Sequence, residues 1–258
     1  MNAPLTVDPR PIAASPGIWA GLASPEDFYG RAGRLLPWCR ALALLCAGAG
    51  LTLGLLFAPA EGPQGDLARI VYVHVPAAWM SIAIGAAMAV AAVLALVPGA
   101  RLAAIVAGAL APTGALMSFV ALWTGAMWSK PAAGVWWTWD ARLYAEFLLL
   151  AVYIGCLALP VAIGDARRRA RAAVALAVTG LLGVALLYRK AAWWDAAHAV
   201  TDPLLGAEMQ HLQQAGLALT AAAFGMWSLA AVLHRARSMI LEHEGVAFAP
   251  PRPPPPRP

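Results

Sequence analysis

Of the 258 residues, 61% are hydrophobic and 12% are charged, about half the charged share of a soluble domain. That excludes a water-exposed globule, which needs more polar surface than this. The formal charge of +5 does not form a nucleic-acid face either, because the arginines fall in short clusters at the ends of apolar blocks. The fold class these features predict is all-α: a polytopic membrane protein of six transmembrane helices with an outward-facing tryptophan-rich loop.

Residues 1–36 hold prolines, acids and arginines without the short apolar core and cleavage site of a signal peptide. They read as a soluble, partly disordered lead-in. A six-span membrane domain is expected over 37–236, with apolar blocks near 38–58, 74–97, 102–125, 143–164, 172–189 and 211–234. At about 1.5 Å per residue each approaches the roughly 30 Å hydrocarbon core. Residues 237–258 read as a tail ending in a proline-rich, disordered stretch. Cys39, Cys46 and Cys156 lie in or beside these blocks with no CxxC or CxxCH spacing, so no disulfide framework, zinc site or c-type haem attachment follows.

Charge orients the chain. With six spans both termini share a side, and that side holds thirteen of the Lys and Arg residues against five on the other. Both termini are therefore expected to be cytoplasmic, with the loops around 59–73, 126–142 and 190–210 facing outward. The inward loops leave no room for a catalytic domain, and no phosphate-binding glycine loop is present.

The outward loops carry the chemistry. The middle one, GAMWSKPAAGVWWTWDARL, places Trp128, Trp136, Trp137 and Trp139 within twelve residues. A lone tryptophan at a span end, such as Trp79 or Trp123, belongs to an interfacial belt. The cluster instead suggests a flat apolar shelf for a large planar ligand, with Gly134 allowing close backbone approach. Asp140 and Arg142 could pair locally, or Arg142 could meet a ligand carboxylate. His74 stands at the mouth of span two and His198 follows Trp193, Trp194 and Asp195 in the third loop. Neutral imidazole ligates haem iron, and two such rings can fill both axial positions. His211, near the start of span six, competes with His198 for the second position. His234 and His243 fall on the cytoplasmic side.

TGAMWSKPAAGVWWTWDARL resembles the WWD motif of haem-handling membrane proteins. VYVHVPAAWM and AWWDAAHAV resemble the two flanking histidine segments of the cytochrome c maturation protein C (CcmC) family. The resemblance covers roughly residues 38–234. It implies a subunit of the bacterial inner membrane that holds haem b at the periplasmic face. There the haem would pass to the periplasmic haem chaperone CcmE. The implied complex contains the ABC transporter proteins CcmA and CcmB and the small subunit CcmD. It also implies His74 and His198 as axial iron ligands, and Gly134, Trp136, Trp137, Trp139, Asp140, Arg142 and Trp128 as haem-holding residues. Ser129, Asp195 and Ala197 depart from the family pattern. Longer haem lyases and haem channels share the motif but have more spans and extra histidines within the membrane.

Two other readings compete. A permease would place polar residues at mid-membrane, where this chain has mainly Ala, Leu, Val and Gly; Glu146, near the outer end of span four, is the acid inside a span. A b-type cytochrome anchor would need histidines on facing helices within the bilayer. Delivery of haem, without an ATPase activity of its own, fits the pattern better than either. A topology reporter fused after Arg168 is expected to read as cytoplasmic, and an outward signal would reverse the orientation.

Overall fold

Lipid offers backbone amides no hydrogen-bond partner, so each apolar block must satisfy its own groups, and a helix does this within one segment. The computed structural model describes residues 24–58, 65–138, 140–194 and 211–244, with 190–194 and 243–244 described through their backbone alone. Among these residues every regular element is helical. They form α1 (Pro25–Thr52), α2 (Val71–Leu94), α3 (Arg101–Ala133), α4 (Ala141–Ala162), α5 (Ala166–Trp194) and α6 (His211–Glu244). All six are long and apolar enough to cross a membrane, as the sequence predicts. Their outer surface suits lipid: Val161 is 93% exposed and Trp38 70%. The tryptophan loop leads into α4 and the arginine-rich turn leaves it, so the two occupy opposite ends of that helix.

Helix boundaries depart from hydropathy where polar signals set them. α1 begins at Pro25, inside the stretch expected to be a disordered lead-in. Ser24 caps it by accepting from the Asp27 N–H at 3.4 Å, Pro25 opens it, and Glu26 and Asp27 lie at its positive end. This extension is packed as well as capped. Ala32, Leu36 and Cys39 bury against Ala230 and Leu233 of α6, and the Arg237 guanidinium lies 4.2 Å from the centre of the Tyr29 ring. For the same reason α6 continues to Glu244, past residue 236 where a tail was expected.

At its other end α1 relaxes into a π-turn, Leu53–Phe57, closed by the Ala58 N–H donating to the Leu53 carbonyl at 2.7 Å. Arg69 satisfies the carbonyls this turn leaves over. Its guanidinium donates to Gly54 O at 2.8 Å and to Leu55 O, and pairs with Asp66 at 2.9 Å. The 3-10 turn Gly65–Ile70, which leads into α2, is thereby fastened to the end of α1.

α2 is central, touching α3, α4, α5 and α6. Apolar surfaces do not drive helices together in lipid, so close approach depends on small residues. Tyr153 of α4, fully buried, is the largest side chain at this junction. A Cβ on Gly114 of α3 would come within 2.2 Å of its ring, and one on Gly85 of α2 within 3.1 Å of its hydroxyl. That hydroxyl donates to the Ser81 carbonyl of α2. Gly114→Ala is expected to destabilise the fold by about 1–3 kcal/mol through overpacking, seen as a lower melting temperature in detergent. An unchanged melting temperature would show that the notch is not a constraint.

Candidate functional site

The site starts from Tyr72, whose ring is wedged where α1, α2 and α6 meet. A Cβ on Gly54 would lie 2.6 Å from that ring and one on Gly216 3.1 Å. Two residues along a helix turn the side chain by about 200°, so anchoring Tyr72 toward α1 and α6 turns His74 the other way, toward α3. There His74 Nδ1 lies 3.0 Å from the Thr124 hydroxyl oxygen. Thr124 in turn donates to its own helix, with Val120 O at 2.6 Å and Ala121 O at 3.2 Å. Gly125 keeps this edge of the ring clear, since a Cβ there would sit 3.2 Å from His74 Cε1.

The tryptophan loop is shorter than its sequence suggests, because α3 runs nine residues past Thr124, about 13 Å, before ending at Ala133. Half-buried Trp128 and the buried Ser129 lie on this extension. Gly134 ends the helix in the left-handed region, φ 78°, with its N–H donating to Lys130 O at 3.0 Å. Its described role is thus the turn itself, and nothing stands within 4 Å of where a Cβ would be. Lys130 Nζ closes the turn by donating to Gly134 O at 2.9 Å, and lies 5.9 Å from the Trp136 ring centre. Trp136 is 61% exposed. Trp137 is half-buried and packs edge-on against Phe147 of α4, with ring centres 6.4 Å apart.

Asp140 starts α4. One carboxylate oxygen accepts from the Arg142 and Leu143 N–H groups at 2.9 and 3.0 Å, and the other accepts from the Thr138 hydroxyl at 3.0 Å. Its described link to Arg142 therefore runs through the backbone. Glu146, 6% exposed, has both oxygens 2.9 Å from the Ser81 hydroxyl. Sequence placed this acid near enough to the outer end to serve the site. The structure engages it with α2 two helical turns deeper than His74, where it ties α4 to α2. Because Ser81 and Glu146 touch, His74, seven residues above Ser81, and Asp140, six above Glu146, stand at matching heights of about 10 Å.

The described residues therefore bring His74, the end of α3 and the tryptophan loop to one end of the bundle. Trp139, Asp195, Ala197 and His198 lie outside the described residues, as do the side chains of Trp193, Trp194 and His243. His211 is exposed at the first residue of α6, and His234 is exposed toward the opposite end. Thr124 and Ser81 are the residues that sequence reasoning passed over. Ser81 repeats the helical face of His74 at i+7, whereas Thr124 is fifty residues distant from its partner.

A family model, CcmC, described as heme exporter protein C, matches residues 18–248, which include all six helices. The chain belongs to the heme exporter protein C family. It is 41% identical to heme exporter protein C of Haemophilus influenzae over 197 residues, 76% of this chain and 78% of that one. It is also 41% identical to heme exporter protein C of Escherichia coli strain K12 over 177 residues, 69% and 72% of the two chains. The same-named protein of Rhodobacter capsulatus is 35% identical over 226 residues, 86% and 93% of the two chains. In this member of the heme exporter C family the loop is held at both ends, by the Gly134 turn and the Asp140 cap. Asp140→Ala is expected to lower stability by about 1 kcal/mol, whereas Asp140→Asn keeps the cap. Equal melting temperatures for the two variants would show that the cap contributes nothing.

Proposed function

We propose that this member of the heme exporter C family holds haem b as cargo at the periplasmic face of the bacterial inner membrane and delivers it to the periplasmic haem chaperone CcmE. The observation that carries the reading is the His74 ring, steadied through Nδ1 by Thr124 at the end of the bundle that bears the tryptophan loop. A ring held through one nitrogen has the other available for iron. His74 and His198 serve as the axial ligands. Trp136, Trp137 and Trp139 supply the apolar shelf, with Trp128 at its foot. Arg142 meets a propionate, and Gly134 and Asp140 shape the loop that presents the rings.

The charge asymmetry supports an inward placement of both termini, which puts the loop in the periplasm. Nucleotide-driven work belongs to CcmA and CcmB, and CcmD completes the complex. This chain supplies binding and orientation, which is the protein's share in haem chemistry generally. The nearest competing readings, a permease and an electron-carrying anchor, draw no particular support from the geometry. Glu146 and Ser81, buried within the spans, are engaged with each other in joining two helices.

Purified protein is expected to carry haem with a low-spin, six-coordinate absorption spectrum. His74→Ala and His198→Ala should each lose that signature and most of the bound haem. A spectrum and haem content unchanged in both variants would overturn the ligand assignment. His211→Ala is expected to leave both readouts intact.

A further inference from the structure

A hydroxyl has one hydrogen, and at Thr124 it is already committed. The oxygen lies 2.6 Å from the Val120 carbonyl. Two oxygens at that separation with no hydrogen between them would repel, so the Thr124 O–H donates there. His74 Nδ1, 3.0 Å from the same hydroxyl oxygen, therefore meets only lone pairs. It can bond to Thr124 only by carrying a hydrogen itself. A neutral imidazole has a single N–H, so Nε2 is left with its lone pair bare.

We infer that Thr124 is the positioning residue for His74, fixing the Nδ1–H tautomer and the ring plane so that Nε2 is the nitrogen offered to haem iron. This rests on the haem-ligand reading of His74 given above, but the tautomer itself does not. The partner stands on α3 while the ligand stands on α2. The ring is thus referenced to the same helix that continues into Trp128, Gly134 and the tryptophan loop. Ligand and shelf share one rigid support. Gly125, the next residue, completes the arrangement by leaving the Cε1 edge uncrowded. Partners of this kind on a metal-ligating histidine orient the ring and raise its basicity, and their loss costs roughly 10–100-fold in metal affinity.

The test uses the full-length protein in lipid, labelled with carbon-13 and nitrogen-15 at histidine. Solid-state NMR of the haem-free protein reads the tautomer, and subtraction of the His74→Ala spectrum isolates the His74 signals. Wild type and Thr124→Ser, which keeps the hydroxyl, are expected to show Nδ1–H. Thr124→Val has nearly the same shape without the hydroxyl acceptor, leaving the Ala121 carbonyl as the ring's remaining backbone partner, and should shift His74 toward Nε2–H. In parallel, haem retention should fall roughly 10–100-fold in Thr124→Val and hold in Thr124→Ser. An Nε2–H tautomer in wild type, or Nδ1–H persisting in Thr124→Val, overturns the inference. Haem loss in His74→Ala with full retention in Thr124→Val overturns the role of Thr124 alone. Full retention in both variants overturns the haem-ligand reading, even where the tautomer shifts as expected.

Discussion

In hydrocarbon, one apolar side chain is no happier against a neighbouring helix than against a lipid tail, so helix association rests on how closely backbones can approach. Here that approach is set where Tyr153 lies on Gly114 and Gly85. A ring between two glycines leaves α2, α3 and α4 little latitude in spacing, and the bond from its hydroxyl to the Ser81 carbonyl fixes the axial register of α4 against α2. The contacts nearer the loop depend on that register. Ser81 meets Glu146 only if α2 and α4 are level, and His74 meets Thr124 only if α2 and α3 are close.

A second clamp works from the side. Arg69 holds the end of α1 to the turn before α2, and Tyr72 fills the notch made by Gly54 and Gly216. The first residues of α2 are consequently held on one flank by α1 and α6 and on the other by α3. A histidine placed there has its direction chosen for it. The tryptophan loop is fixed by different means: a left-handed glycine where α3 ends, and a carboxylate cap where α4 begins. Both devices are built from the chain's own backbone and side chains.

Six helices were legible in the sequence because lipid imposes one rule on every block, and hydropathy reports it directly. Helix ends were less so. Ser24, Pro25, Glu26 and Asp27 look like solvated polar sequence, yet each is a residue type favoured where a helix starts, and α1 begins among them. Trp128, Lys130 and Pro131 look like loop, yet α3 carries on through them. Gly134, expected to allow close backbone approach, also holds the left-handed turn that ends α3. His74 stands out in the sequence because a histidine beside an apolar block is conspicuous. Thr124 does not, because a threonine in an apolar helix is ordinary and only the tertiary fold brings it to the ring. The placement of His198 and Trp139 lies outside the described residues.

The extension of α3 has a further physical consequence. A 33-residue helix is about 50 Å long, against roughly 30 Å of hydrocarbon. The helix therefore exceeds the hydrocarbon thickness by about 20 Å, and Trp136 stands three residues beyond its last residue, Ala133. That indole is 61% exposed, so much of its apolar area is not covered by the protein. At about 25 cal/mol per Å² over a side chain of roughly 200 Å², burial of that exposed face would be worth about 3 kcal/mol. The exposed indole is thus apolar surface that the described fold leaves unburied, just past the loop end of α3.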